Sequence, residues 1–428
     1  MTDHEQSATH AVTMAHQRVS AIWRIEAPRL IGGLIRFVRD VELAEDLAQD
    51  ALLAALERWP EAGIPDNPGA WLMTTAKNRA VDAARKRRMV ERKHTALAAD
   101  ALPARDSVSS STLDNDVGDD VLALILIACH PVLSKQHRVA LTLRLLGGLT
   151  TEEIARAFVT PEATIAQRIV RAKRTLAEAR VPFEVPRGQE LVDRLPAVLE
   201  AVYLIFNEGY AAASGDDWMR PELCQDAMRL GRVLAALVPA EAEVHGLVAL
   251  MELQASRMRA RVDHAGNPIL LSDQNRGRWD HALIQHGLAA LRRAEALRNP
   301  LGIYTLQAAI AGCHARANAP DQTDWPRIVA LYDALVELTQ SPIAELNRAV
   351  AVGMAFGPAE GLQLVDALAE HGALDHYHYL PAARGDLLAK LGRTTEARAE
   401  FARAAAMTSN VAEQQALWER AAKLCSGG

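Results

Sequence analysis

The chain has 428 residues, a net charge of −6 at pH 7, and a composition that is 50% hydrophobic but only 4% aromatic. This length is sufficient for two or three domains with buried cores. Ala, Leu, Arg and Glu dominate and runs of β-branched residues are scarce, which predicts an all-α protein. No apolar run approaches the roughly 20 residues of a membrane-spanning helix, and the N-terminus lacks a signal-peptide pattern. We therefore expect a cytoplasmic protein that does not contact membranes.

The four cysteines, Cys129, Cys224, Cys313 and Cys425, are far apart in the sequence. Their spacing matches neither a zinc site nor a disulfide framework. Residues 183–428 contain no metal-ligand spacing, nucleophile motif or phosphate-binding loop. The sequence therefore predicts no metal, no cofactor and no catalytic residue, and we expect the protein not to be an enzyme.

Charge is unevenly distributed along the chain. Residues 1–180 contain 24 Lys and Arg against 23 Asp and Glu, whereas residues 181–428 contain 23 against 30. The first part is nearly neutral but has strongly charged patches, and the second part is acidic throughout. Contact with DNA is therefore expected in the first part of the chain and not along its whole length.

Residues 1–20 are polar and are predicted to form a disordered tail. Apolar residues at helical spacing predict a helix from Val19 to Val38, which Pro28 would kink or break. The following helix, which ends near Trp59, has an apolar face and an opposite face that is acidic. The residues of this acidic strip are Asp40, Glu45, Asp46, Gln49 and Asp50. Taken alone, such a strip is most simply a solvated surface.

After a turn-rich connection, residues 70–94 are predicted to form one long basic helix. Between Ala76 and His94 it carries eight Lys and Arg against Asp82 and Glu91. Such a density of cations attracts phosphate groups through counterion release. The next segment, residues 97–118, is rich in Ser, Asp and Ala without helical periodicity, which predicts a flexible linker.

Two further helices are predicted in residues 121–146, and residues 150–176 predict a helix-turn-helix. Thr150 and Glu153 have the spacing of a capping box, and Pro161 stands where the second helix can begin. The second helix carries buried-type residues at helical spacing on one face and a polar, basic opposite face. The outward residues are Thr164, Gln167, Arg168, Arg171, Lys173 and Arg174.

An ordinary helix pair with a solvated cationic face is the alternative interpretation of this motif. The ten-residue spacing from Ala155 to Ile165, with Pro161 between them, favours DNA binding. In that case the leading residues of the second helix would enter the major groove, and the later cations would meet phosphates.

Three segments, in this order, resemble an extracytoplasmic-function (ECF) sigma factor of bacterial RNA polymerase. They are AEDLAQDALLAALERW, PGAWLMTTAKNRAVDAARKRR and LTTEEIARAFVTPEATIAQRIVRAKRTL. The resemblance implies that residues 21–96 form sigma region 2, that residues 97–118 are the linker, and that residues 119–182 form sigma region 4. It also implies two partners, core RNA polymerase and promoter DNA.

The resemblance further implies a role for each charged surface. The acidic strip of Asp40, Glu45, Asp46, Gln49 and Asp50 would bind core polymerase. The basic helix would bind the minus-ten element through Trp71, Lys77, Asn78, Arg79, Arg85, Lys86, Arg87 and Arg88. The second helix of the helix-turn-helix would bind the minus-thirty-five element through Thr164, Gln167, Arg168, Arg171, Lys173 and Arg174. The linker would let both regions reach promoter elements about two helical turns apart.

Residues 183–428 extend well beyond the two sigma regions. Gly385, Gly392 and Phe401 have offsets of a tetratricopeptide helical hairpin, and Gly357 lies 35 residues before Gly392. A tetratricopeptide-like repeat domain with a regulatory role is therefore predicted. The layout resembles the ECF subgroup with such an extension that is associated with small YCII-related (DGPF-type) proteins, and it implies a protein of that type as a candidate partner.

Two polar stretches in the extension, residues 205–218 and 266–280, allow two interpretations. Their polar residues are Asn207, Glu208, Tyr210, Asp273, Gln274, Asn275, Arg276, Arg278 and Asp280. These side chains could form a ligand or partner site, or they could serve as helix caps. A rival function for the whole chain is an operator-binding regulator with a helical-repeat sensor. Such a regulator needs neither the acidic strip nor the second basic helix, and both features favour the sigma factor.

Overall fold

The computed structural model describes residues 3–94, 113–158, 160–210, 219–263, 269–297, 301–408 and 411–424. Within these ranges the regular secondary structure is entirely helical, which confirms the predicted all-α class. The chain divides into two compact units, Met1–Ala201 and Val202–Gly428. In the described ranges, no helix has the length and apolarity needed to cross a membrane.

The α-helices are α1 (Asp3–Val38), α2 (Val41–Ala62), α3 (Pro68–His94), α4 (Leu113–Ala128), α5 (Lys135–Leu145), α6 (Thr151–Ala157), α7 (Glu162–Glu178), α8 (Gln189–Tyr210), α9 (Pro221–Leu237), α10 (Ala242–Ala255), α11 (His281–Ala296), α12 (Ile303–Arg316), α13 (Trp325–Thr339), α14 (Pro342–Ala355), α15 (Pro358–Glu370), α16 (Tyr379–Lys390), α17 (Thr394–Met407) and α18 (Val411–Lys423). Short 3-10 helices connect some of them in the second unit.

The prediction of a disordered tail at residues 1–20 is wrong, because α1 begins at Asp3. The sequence contains neither Gly nor Pro between Asp3 and Ala27, and its Ala, Gln and Met residues favour a helix. Pro28 does not end α1. It removes one backbone hydrogen bond, but Ala27, Leu30 and Ile31 around it are buried, and this packing stabilises the helix.

The last part of the predicted linker, residues 113–118, is helical. The rest of the predicted linker lies outside the described residues. Every residue from Val121 to Cys129 is buried, so α4 is a central helix of its unit.

In the unit Met1–Ala201, α1 packs against α2 and α3 and also against α4. The helix-turn-helix consists of α6 and α7, which pack against each other and against α5. Its capping box is confirmed: the Glu153 N–H donates to Thr150 Oγ1 at 3.1 Å, and the Thr150 N–H donates to Glu153 Oε2 at 2.8 Å. Pro161 is the residue just before α7, and its carbonyl oxygen accepts from the Thr164 N–H at 2.9 Å.

In the unit Val202–Gly428, successive helices from α12 to α18 pack pairwise. Gly357 and Gly392 have φ values of 127° and 74° at two of the turns, where a side chain would be strained. Gly385 lies against Phe401, since a Cβ at this glycine would be 2.9 Å from Phe401 Cε1. These hairpins agree with the predicted packing, and the tetratricopeptide assignment itself stays a prediction.

Candidate functional site

Helix α7 presents one exposed stripe along its whole length. Gln167, Val170, Arg171 and Arg174 are exposed, and they follow the i, i+3, i+4, i+7 spacing of a single helix face. The opposite face is buried through Ile165, Ile169 and Ala172, as predicted, and also through Leu176. Burial of this second face fixes which side chains of α7 are available to a partner.

The surroundings of this stripe are electropositive. His137 of α5 is half-buried, and its pKa is lowered from 6.5 by that burial and by the nearby charges of Arg171 and Arg168. Arg174 Nε donates to Glu178 Oε1 at 2.7 Å, but both side chains remain exposed to water. Thr164 and Arg168 are half-buried at the edges of the stripe. The stripe can therefore attract phosphate groups and place polar atoms in a groove of DNA.

Val170 belongs to this stripe, although sequence reasoning did not assign it to the candidate site. It is 63% exposed and is flanked by Gln167 and Arg171 on the same face. The signal that could have found it is its spacing, three residues after Gln167 and four before Arg174. An exposed β-branched residue on a DNA-reading helix can contact the methyl group of thymine.

Most of the acidic strip on α2 lies at the surface. Asp40, Asp46 and Asp50 are exposed. Asp40 Oδ1 also accepts the Leu43 N–H at 3.0 Å and so caps α2. Asp50 pairs with Arg79 of α3 at 3.3 Å, which joins the strip to the basic helix. These positions agree with a surface available to a protein partner.

Glu45 does not share the outward orientation predicted for the strip, because it is only 4% exposed. Arg144 Nε donates to Glu45 Oε1 at 2.5 Å, Lys173 Nζ pairs with Oε2, and Gln49 Nε2 donates to Oε1 at 2.9 Å. Burial alone would raise the pKa of Glu45, but the charges of Lys173 and Arg144 outweigh this effect and lower the pKa below 4.5. The carboxylate is therefore ionised at neutral pH, and the ion pairs weaken only in acid.

Lys173 is likewise turned away from the outward stripe of α7, with a side chain that is 15% exposed. The structure thus brings together one residue predicted to bind polymerase and one predicted to bind the minus-thirty-five element. Their partner Arg144 was not among the predicted site residues. An ion pair between residues 99 positions apart, as for Glu45 and Arg144, leaves no local sequence signal.

The basic helix α3 carries the residues predicted to bind the minus-ten element. Trp71 is half-buried and packs edge-to-face on Trp59, with ring centroids 5.4 Å apart. Lys77, Asn78 and Arg85 are exposed. The backbone of α3 continues to His94, but the side chains of Lys86, Arg87 and Arg88 lie outside the described part of the chain. The described residues form a polar, cationic surface beside an aromatic pair.

The two polar stretches of the extension divide between the two interpretations. Several of the residues serve the backbone: Asn275 Oδ1 accepts the Gly277 N–H at 2.9 Å, Asp280 Oδ1 caps α11, and Arg276 Nη1 donates to the His314 and Ala317 carbonyl oxygens. Glu208 pairs with Arg220, which lies just beyond the first stretch. In contrast, Tyr210, Asp273 and Gln274 line a cavity of about 940 Å³, together with Tyr377 and Tyr379. Residues 211–218 and 264–268 are outside the described ranges.

The three described cysteines, Cys129, Cys224 and Cys313, are buried. Burial raises the pKa of Cys129 to about 11 and that of Cys224 to about 12. In the part of the chain that the structure describes, no cluster of His, Cys, Asp and Glu has an arrangement that could hold a metal ion.

Comparison with known proteins identifies the two regions of the first unit. Residues 22–89 match the family model of Sigma-70 region 2, and residues 123–176 match that of Sigma-70, region 4. Residues 194–295 match a family of unknown function, DUF6596. The region 2 match sets aside the operator-binding alternative, because an operator-binding regulator has no need of this region.

Relatives of known class support the same identification. The chain is 31% identical over 165 residues to the RNA polymerase sigma-H factor of Pseudomonas aeruginosa, covering 36% of this chain and 82% of that protein. It is 31% identical over 153 residues to the ECF RNA polymerase sigma factor SigK of Mycobacterium ulcerans, covering 35% and 78%. An uncharacterised protein of Rhizobium meliloti is 43% identical over 391 residues, covering 90% and 91%, so the extension accompanies the sigma regions there too. The chain therefore belongs to the ECF sigma factors, which act with core RNA polymerase in transcription initiation.

Proposed function

We propose that this sigma factor reads the minus-thirty-five element with the exposed stripe of α7, binds the minus-ten element with α3, and binds core polymerase with the acidic strip of α2. The observation that carries the proposal is the exposed, cationic stripe of α7 on the second helix of a capped helix-turn-helix. Run-off transcription with purified core polymerase, on the DNA upstream of the protein's own gene, tests the assignment. We place this activity in the cytoplasm, where the polymerase and its promoters are.

Residues along the stripe are suited to different contacts. Gln167 lies near the start of α7, where base edges in the major groove are reached first, and its amide can both donate and accept. Arg174 lies two turns later and is suited to a phosphate, which fixes position but carries no sequence information. Lys173 can join these contacts only when it is released from Glu45.

Replacing Gln167 with alanine should change which minus-thirty-five sequence is preferred, because each base-edge pair contributes about 1 to 3 kcal/mol of discrimination. Replacing Arg174 with alanine should weaken binding to all sequences alike and reduce the salt dependence by about one phosphate. Binding to a library of minus-thirty-five sequences at several salt concentrations measures both effects. Arg156→Ala is the control, since Arg156 is exposed on α6 and pairs with Glu152. An unchanged ranking of promoters in the Gln167 variant would contradict the assignment of this helix.

Val170→Ala should remove sensitivity to one thymine methyl group. We expect the parent protein to bind about fourfold more weakly when that thymine is replaced with deoxyuridine, since a buried methyl contributes about 0.8 kcal/mol. The variant should bind both DNAs equally. A scan that replaces each thymine of the preferred minus-thirty-five element in turn locates the position. The control is Val132→Ala, at another exposed valine of region 4, which should lose affinity for the deoxyuridine DNA as the parent does. The same loss of affinity in Val170→Ala would show that Val170 does not reach a base.

The extension is proposed to control the sigma regions through protein contacts. Residues 181–428 carry an excess of seven acidic residues, 30 against 23, which disfavours contact with DNA. The cavity near Tyr210, Gln274 and Tyr379 has the size of a site for a small molecule or for a segment of another protein. A small YCII-related protein is the candidate partner that the subgroup resemblance implies. Co-purification of such a protein with the full chain, and not with a chain that lacks residues 211–428, tests this partner.

A further inference from the structure

The cavity of the unit Val202–Gly428 has walls from parts of the chain that are far apart in sequence. Its volume is about 940 Å³, and it is lined by Tyr210 of α8, by the connection that follows α10, and by residues of α14, α16 and α18. Pockets that bind small organic molecules have volumes of roughly 300 to 1,000 Å³. The cavity is therefore of the size that takes one such molecule.

Tyr210 holds two arginines at the wall of this cavity. Arg257 Nη2 donates to the Tyr210 hydroxyl at 3.0 Å, and the Arg261 guanidinium lies over the Tyr210 ring, 3.6 Å from its centre. The ring also stacks on Phe206, with centroids 5.5 Å apart, which fixes its position. Burial and, to a smaller extent, the charge of Arg257 lower the pKa of Arg261. An anion bound beside Arg257 would therefore relieve the repulsion between the two guanidinium groups.

Arg257 brings a positive charge to the cavity without a described counter-ion. Its side chain is half-buried, and no carboxylate pairs with it in the described part of the chain. Two carboxylates of the cavity are held by other partners, since Glu413 accepts the Tyr379 hydroxyl at 2.6 Å and Asp386 pairs with Arg420. The described walls carry five Asp or Glu and five Lys or Arg, so a ligand with several negative charges is disfavoured. A single anionic group suits Arg257.

Gln274 supplies a second polar group. It lines the cavity, is only 7% exposed, and its Nε2 donates to the Ile269 carbonyl oxygen at 3.1 Å. Its Oε1 has no hydrogen-bond partner among the described residues. A buried oxygen without a partner is unfavourable, so a ligand with an N–H or O–H group would satisfy it.

The helices contribute a largely apolar wall. Leu346 and Val350 of α14, Leu387 of α16 and Leu417 of α18 line the cavity, and the side chain of Tyr379 beside them is 44% exposed. Apolar and aromatic side chains of this kind stabilise a flat, apolar ligand body.

We propose that this cavity binds a small organic carboxylate, with the carboxylate at Arg257, a hydrogen-bond donor at Gln274 Oε1, and an apolar body against α14, α16 and α18. A planar guanidinium matches a carboxylate in shape. A phosphate monoester carries about −1.5 to −2 charges at neutral pH, which exceeds the one charge that Arg257 offers. The bound acid would be the signal for the extension, and in this role the inference rests on the proposed control of the sigma regions by the extension.

Titration calorimetry of the full-length protein tests this site with four small probes. Indoleacetate has a carboxylate, an aromatic body and an N–H donor. Indoleacetamide lacks its charge, naphthylacetate lacks its N–H group, and indoxyl phosphate replaces the carboxylate with a phosphate. A decapeptide that ends in a free phenylalanine carboxylate represents a segment of another protein.

Two variants, each with a matched control, locate the binding. Arg257→Gln removes the charge and keeps a donor for the Tyr210 hydroxyl, and its control is Arg259→Gln, at an exposed arginine outside the cavity. Asn347→Phe adds a ring at an exposed position of α14 that lines the cavity, and its control is Ile343→Phe, on the same helix but outside the cavity. A thermal unfolding curve accompanies each variant.

We expect indoleacetate to bind the parent at one site per chain, and at least about tenfold more tightly than indoleacetamide, because hydrogen bonds to a charged group are the stronger ones. Naphthylacetate should bind more weakly than indoleacetate. Arg257→Gln should bind indoleacetate and indoleacetamide equally, and Asn347→Phe should bind neither. Both controls should behave as the parent.

Absence of indoleacetate binding in the parent would overturn the site, and so would a folded Arg257→Gln that keeps the preference for the acid. If Arg257→Gln does not fold, Asn347→Phe decides, since undiminished binding there would place the probe outside the cavity. Tighter binding of indoxyl phosphate would overturn the carboxylate assignment, and tighter binding of the decapeptide would replace the small molecule with a protein segment. No polymerase is present in these titrations. Unchanged transcription by a chain without residues 211–428 would therefore refute the proposed control and leave the binding result standing.

Discussion

Replacing Asp46 with lysine is expected to weaken binding of core RNA polymerase by at least tenfold, which corresponds to about 1.4 kcal/mol. Asp46 is exposed in the middle of the acidic strip of α2, and like charges placed opposite each other across an interface cost several kcal/mol. The free energy of unfolding should change by no more than about 0.5 kcal/mol, as is usual for exposed positions. Titration of labelled protein with core polymerase, together with thermal unfolding, measures both quantities.

The double variant Asp46→Lys with Asp50→Lys should abolish transcription. Asp50 pairs with Arg79 at 3.3 Å, so this change also places a cation beside a residue proposed to bind the minus-ten element. The single variant is therefore the cleaner probe of polymerase binding, and the double variant has the larger effect on transcription. Asp66→Lys, in the exposed connection before α3, is the control for added charge. Full transcription by a folded double variant would refute the assignment of the strip.

Removing the extension is expected to leave a folded fragment that transcribes at least tenfold less than the full chain. The acidic extension is suited to contact a protein and not DNA. We propose that it contacts core polymerase, and that polymerase binding in the initiation complex requires this contact. Run-off transcription by the fragment 1–210 measures the effect. A constitutively active fragment would show instead that the extension inhibits the sigma regions. Unchanged transcription and regulation in cells would mean that the extension does not control promoter use.

The end point of that fragment follows from the packing of α8. A cut after Pro186, where the sequence motifs of region 4 have ended, would remove residues that region 4 uses. Arg138 of α5 donates to the Ala197 carbonyl oxygen at 3.2 Å and to Glu200 at 3.1 Å, and Lys135 also pairs with Glu200. The fragment 1–186 should therefore be less stable than 1–210, which a comparison of their thermal unfolding curves checks. Equal stability would mean that these contacts do not support region 4.

The polar loops of the extension illustrate a limit of sequence reasoning. Asn275 and Asp280 have the residue types of both caps and ligand sites, and the structure shows them bonded to the backbone at the starts of helices. Tyr210 and Gln274 have equally polar neighbours in sequence, yet they line a cavity with residues more than 100 positions away. The sequence alone could not distinguish the two cases, because the difference lies in what packs against each loop.

The amino-acid sequence by itself determined the helices, their caps and the buried face of α7. Thr150 with Glu153, and Ile165 with Ile169, are three and four residues apart, and such pairs interact within one helix whatever surrounds it. The tertiary structure decided which charged side chains are available. Glu45 lies on the same side of α2 as the buried Ala48, which follows three residues later. Its carboxylate is therefore not part of the exposed acidic strip and pairs with Arg144 and Lys173 of region 4. Burial of a carboxylate depends on cations that arrive from distant parts of the chain, and local sequence spacing carries no record of them.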